Sequence, residues 1–185
     1  MPASKPSTKP KMSKETLLPL LASHVLTHGL GGASLRPLAK AAGTSDRMLI
    51  YHFGNKETLI TELLDHIAGI YSTALDVAIG ADRPKTRSEC FERVMAQGSH
   101  PMMQPFMVLW WEIVAGSARG LPGYHNAAKA MIAKQLLWLE GQMPADDPDP
   151  AGGARYLLTL MEGTLMLNAV GHEATARGGI PASGL

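Results

Sequence analysis

Apolar residues along this 185-residue chain recur at helical spacing, and no alternating strand pattern stands out. Leu17, Leu18, Leu21 and Val25 predict a first helix over 16–28. It is expected to start at Thr16, so that Pro19 stays in the first turn, and to end at Gly29. Leu35, Leu38, Ala39 and Ala42 predict a short helix capped by Ser34 and closed by a left-handed Gly43. Leu49, Ile50 and Phe53 predict a third, capped by Ser45, with Asp46 in the first turn where the helix dipole favours an anion. A long helix over 56–79 follows, capped by Asn55 and striped by Leu59, Ile60, Leu63, Leu64, Ile67, Ile70 and Tyr71. Further helices are expected over 85–97, 102–118, 123–141 and 150–170, with Gly and Pro in each gap. The fold class is therefore all-α. An N-terminal three-helix head is joined by a long helix to a helical body, and the tail over 174–185 is expected to be flexible.

The outward residues of the third helix add chemistry. Arg47, Met48, Tyr51 and His52 are left for solvent, between a tight glycine turn and a second helix start. That is the layout of a helix-turn-helix whose second helix reads DNA. Arg47 suits guanine O6 and N7 in the major groove, or a phosphate. Tyr51 and His52 lie about a turn further on and suit a phosphate or a thymine methyl, core packing being the alternative for both. Thr44 and Ser45 at the helix start suit a phosphate, and Arg36 on the preceding helix is similar. Asp46 is expected to stabilise its own helix.

Charge agrees with this division. Residues 1–56 carry eight basic side chains against Glu15 and Asp46, while the remainder carries nine basic against fourteen acidic, for a net charge of only +1. A basic third on an acidic body suits a head that binds a polyanion. Residues 1–12, with three Pro and three Lys, are expected to be a disordered basic arm, either a plain solvated tail or one that touches DNA.

Residues 34–59 resemble the DNA-binding region of the TetR (tetracycline repressor) family. The resemblance rests on Gly29, Leu30, Ser34-Leu35, Leu38-Ala39, Ala42-Gly43-Thr44-Ser45, Leu49, His52-Phe53 and Asn55-Lys56-Glu57 with Leu59. Asp46, Arg47 and Ile50 depart from the family pattern. The resemblance implies a head over 13–55, a ligand-binding and dimerisation body over 56–173, and Lys56 as a phosphate clamp. It also implies a homodimer on a palindromic operator in double-stranded DNA, paired through the last two long helices. Leu137, Trp138, Leu158, Glu162, Gly163, Leu165 and Ala169 are the candidates for that seam, the chain's own core being the alternative for its apolar members.

The body is rich in Met and Trp. Met103, Met107, Trp110, Trp111, Met131 and Met161 are candidates for an adaptable pocket for a small apolar ligand, and core packing is the plainer alternative. Adjacent Trp110 and Trp111 point about 100° apart on a helix, so both cannot face one narrow seam. Glu112, His100 and His125 are the polar groups most suited to orient a ligand, a surface or structural role being the plainer expectation for each, and His24 is expected to be structural.

Cys90 is alone, and no metal-ligand spacing, nucleophile elbow or phosphate loop is present. No cofactor, metal or enzymatic activity is expected. Neither is a membrane partner, since the most apolar run, 102–118, is interrupted by Gln104, Pro105 and Glu112. The expected function is sequence-specific transcriptional regulation in the cytoplasm, as a repressor released by ligand. The alternative is a DNA-binding dimer whose body serves only dimerisation or a protein partner.

Overall fold

The computed structural model describes residues 12–79 and 82–183, so all but the last residue of the predicted arm lies outside the described residues. The described chain contains helices and no strand. They are α1 (Lys14–His28), α2 (Leu35–Ala41), α3 (Asp46–Phe53), α4 (Lys56–Ile79), α5 (Arg87–Gly98), α6 (Gln104–Ala118), α7 (Tyr124–Gln142), α8 (Pro150–Ala169) and α9 (Glu173–Gly179). Short 3₁₀ turns lie at Leu30–Gly32, Pro101–Met103 and Pro181–Ser183. No helix among the described residues is long and apolar enough to cross a membrane.

Two predicted boundaries need correction. Helix α1 starts two residues before Thr16. Ser13 is its cap, and Thr16 Oγ1 accepts the Ser13 N–H at 3.0 Å. Pro19 is then sixth in the helix, beyond the turn where a missing N–H is free. It is tolerated because Pro19 and Glu15 both lie on the exposed face, where water can satisfy the released carbonyl, while Leu17, Leu21, Ala22 and Val25 anchor the buried face. A helix the sequence did not predict, α9, lies at the start of the tail expected to be flexible, with Ala176 buried.

Two buried clusters organise the molecule. The first joins Leu17, Leu21 and Val25 of α1, Leu38 of α2, and Leu49 and Phe53 of α3 to Leu59, Leu63, Leu64 and Ile67 of α4. It continues without a break into Leu109 and Ile113 of α6 and Ala127 of α7. The second packs Cys90, Phe91 and Val94 of α5 against Leu139 of α7 and Leu157, Leu158 and Met161 of α8. Cys90 is a free buried thiol, and burial pushes it up to about 11, so it is an inert core residue.

A polar strap positions the start of α8. Arg87 on α5 donates to both oxygens of Asp147, at 2.7 and 2.6 Å, and to the Asp149 carbonyl at 3.1 Å. Asp149 Oδ1 in turn accepts the Gly152 N–H at 2.9 Å and caps the helix. The Asp147 side chain is only 2% exposed, so the fork is largely shielded on the acid side. The hydrogen bonds from Arg87 hold the Asp147 carboxyl below its ordinary range. A carboxyl depressed by folding adds stability above its unfolded pKa and loses it as pH falls through the folded pKa. Asp147→Asn is therefore expected to lower the melting temperature near neutral pH and to flatten its decline on acidification. Thermal melts across the acid range check this, and parallel pH curves for the two proteins would refute it.

Candidate nucleic-acid interface and body cavity

The turn between α2 and α3 forms for local reasons. Gly43 takes φ +63°, and the Thr44 N–H returns to the Ala39 carbonyl at 2.9 Å. Ser45 Oγ then accepts the Met48 N–H at 3.3 Å and starts α3. Leu49 and Phe53 point into the head's core, so Arg47 and Tyr51, four residues apart, share the outer side of the helix. Tyr51 is 77% exposed and Arg47 is also exposed, while Met48 and His52 are half-buried. Arg36 and Lys40 on α2 and Lys56 at the start of α4 are exposed as well. None of these four cations is held in an ion pair with another described residue. By contrast Lys14 is engaged, 2.6 Å from Glu62 and 5.3 Å from the Phe53 ring centre.

Two candidates face the wrong way for a phosphate. Thr44 Oγ1 is buried without a partner, and its N–H is already used in the turn. His52 Nε2 is likewise buried and unpartnered, with the ring edge-on to Tyr51. Ser45 keeps an exposed hydroxyl that still has a proton to donate. His24 matches its structural expectation: it stacks on His28 at 4.4 Å, and burial lowers its pKa.

The body touches the head at a point the sequence did not reveal. Glu112 on α6 takes the structural role weighed against ligand orientation: its Oε2 accepts the Leu30 N–H at the turn between α1 and α2. The neighbouring Gly29 has φ +73°, and a Cβ there would lie 2.5 Å from Glu112 Oε1. The backbone conformation favours glycine, and a Cβ would push the Glu112 carboxylate off its hydrogen bond to Leu30. His125 pairs with Ser117 at 3.3 Å, and His100 accepts the Met102 N–H at 3.3 Å.

A cavity of about 60 Å³ lies between α4, α6, α7 and α8. Met107, Trp110 and Met131 line it. Met161 does not, because it packs in the second core; Met103 is buried beside a neighbouring groove, and Trp111 lies outside the cavity lining. Trp138, Glu162 and Leu165, candidates for a dimer seam, line this cavity, and Leu158 is buried in the second core. The spacing of apolar residues on α7 and α8 could not separate inward from outward faces, because both helices carry apolar residues on more than one side. Tyr71 and Leu75 of α4 and Phe106 of α6 also line the cavity; their stripe had read only as core.

The cavity holds a carboxylate. Trp110 Nε1 donates to Glu162 Oε2 at 2.9 Å, and burial raises the Glu162 pKa against that hydrogen bond. Burial, and then the Glu162 charge, pushes the Tyr71 hydroxyl up to about 12, so it stays protonated. Trp138 turns its indole N–H away to Asp76.

Among the described residues, a solvent-facing helix on a glycine turn, carried on a helical body, has the layout of a helix-turn-helix. Residues 23–63 match the family model described as bacterial regulatory proteins, tetR family. The match spans the end of α1, the α2–α3 turn and the start of α4, so the head is similar to the DNA-binding region of that family. The whole-chain fold agrees. It is similar to a structure described as a TetR-family transcriptional regulator from Rhodococcus sp., with TM-score 0.68, 17% identity, and 91% and 96% of the two chains covered. A transcriptional regulator from Streptomyces coelicolor A3(2) gives TM-score 0.69 and 22% identity over 92% and 96%. Salmonella enterica GusR gives 0.58 and 21% over 94% and 91%. No curated sequence matches the chain.

Gly29→Ala is expected to destabilise the protein by more than about 1 kcal/mol, since it combines a positive φ with a clash against Glu112. Chemical denaturation measures this. Glu112→Ala in the Gly29→Ala background should recover part of the loss, and no recovery would mean that backbone strain alone sets the cost.

Proposed function

We propose that this protein is a dimeric, sequence-specific regulator, with a head over 13–55 and a body over 56–173, that represses transcription in the cytoplasm from a palindromic operator and is released by a small ligand. The observation that carries the DNA part is the exposed outer side of α3, where Arg47 and Tyr51 stand clear of the core on a head similar to that of the TetR family. Arg47 reads a base edge, with Met48 beside it. Tyr51, Ser45, Arg36 and Lys56 hold the backbone, and His52 contributes only if its ring turns outward. The dimer seam is the side of α7 and α8 that the cavity leaves free. Leu137 there is 72% exposed, and Gly163, Met166, Ala169 and Val170 follow the outer side of α8.

Release follows from size. A cavity of about 60 Å³ is smaller than the roughly 150 Å³ that admits benzene. A ligand therefore binds only after α4, α6, α7 and α8 part or Met107 and Met131 move aside. Affinity for the widened state over the closed one is what shifts the equilibrium. Helices α4 and α6 both run from the cavity to the head, the second through Glu112. The same small volume supports a second reading, in which the body takes no ligand and serves only dimerisation or a protein partner.

Selection from random duplex DNA at physiological salt is expected to enrich a palindrome with half-sites about one helical turn or more apart. Binding that enriches nothing and vanishes with salt would overturn sequence-specific regulation. On the selected site, Arg47→Ala is expected to cost about 1–3 kcal/mol and to relax one position of each half-site. Lys56→Ala is expected to weaken all sequences evenly. Equal losses on every sequence for both variants would remove Arg47 from base reading.

A further inference from the structure

The cavity is lined mostly by apolar and aromatic side chains, together with Ser72, Gln135 and Lys134, yet Glu162 also projects into it from α8. Among the described residues its hydrogen-bond partner is the Trp110 indole, and no Lys, Arg or His pairs with it. Lys134 reaches the cavity wall, but its ammonium is bonded to Asp65 on α4. A single neutral donor leaves an ionised carboxylate undercompensated in a partly desolvated site, and its pKa is raised accordingly. Packing alone would be better served by an apolar side chain.

The surroundings select among ligand chemistries. Tyr71, Phe106, Trp110 and Trp138 bring four aromatic side chains to the same cavity, the first two with ring centres 5.6 Å apart. Aromatic faces attract cations, most strongly where water is excluded. The groove next to the cavity shares Phe106 and Lys134 with it and carries Asp65. An anionic ligand would meet Glu162 unscreened. A neutral alcohol could donate one hydrogen bond but would leave the charge in place.

We propose that the cavity takes a small organic cation, an ammonium or amidinium group on an apolar body, with Glu162 as its counter-ion and the aromatic faces around it. This rests on the ligand-released regulator described above and gives that ligand its chemical class. The cation supplies the charge partner that the closed cavity lacks, and its apolar body occupies the space opened between Met107 and Met131.

Benzylammonium, benzyl alcohol and benzoate share one ring and differ in charge. Titrated into the full-length protein near neutral pH, with tryptophan fluorescence and calorimetry as readouts, benzylammonium is expected to bind roughly tenfold or more tighter than the alcohol, and benzoate weakest. Glu162→Gln keeps an oxygen for Trp110 and removes the charge. It is expected to bring benzylammonium to the level of the alcohol and to leave the alcohol unchanged. Equal affinities for the three probes, no binding by any of them, or benzylammonium binding that survives Glu162→Gln would overturn the proposal. The unmutated protein alone gives the first two tests, so they do not depend on the variant folding. The same probes added to the complex with selected DNA separate the two readings. Release by alcohol as readily as by ammonium would keep ligand release and overturn the cationic class. Charge-selective binding that leaves DNA bound would support the cationic site and overturn release.

Discussion

The structure depends on the buried side of α4, which is shared between head and body. Leu59, Leu63, Leu64 and Ile67 close the core of the helix-turn-helix and also meet Leu109, Ile113 and Ala127 from the body. At 24 residues α4 is about 36 Å long, long enough to start beside α3 in the head and still wall the cavity with Tyr71 and Leu75. Close-packed interiors deform little, so a shift of one part of this helix is passed along the cluster and not absorbed in it. The head is a domain by its motif, but its core is continuous with the body.

Helix α6 is the second connection, and it is polar as well as apolar. Within one turn it presents Trp110 toward Glu162 and the cavity, and Glu112 toward the backbone at Gly29 and Leu30. Residues two apart on a helix face different directions. One short stretch thus contacts the cavity on one side and the head on the other. The glycine at 29 is what permits the carboxylate to come so close.

Much of the fold was legible along the chain. The helical repeat, the caps at Ser45 and Asn55 and the glycine at 43 are local signals, set by neighbours within a few residues, and each produced the expected element. Pro19 misled because local steric rules place it in a first turn, whereas burial of Leu17, Leu21 and Val25 carries the helix past it. Helix α9 was missed because its short, glycine-containing sequence has little propensity of its own and is held by Ala176 against the body.

The site divides in the same way. Helical period alone placed Arg47 and Tyr51 on the exposed side of α3, though not the half-buried setting of Met48 and His52, so the sequence by itself determined that exposed side and the order of the helices. Which of the Met, Trp and acidic residues of the body meet one another did not follow. Trp110 and Glu162 are 52 positions apart, and Glu112 and Leu30 are 82 apart. Period tells only that a residue has a side, and several helices in this body have apolar residues on more than one. The packing of α4, α6, α7 and α8 decided that Glu162 and Trp138 enter the cavity, that Glu112 holds the head, and that Leu137 is left outside. Long-range contacts of that kind arise from how helices of given volume fit together, and no window of the sequence contains them.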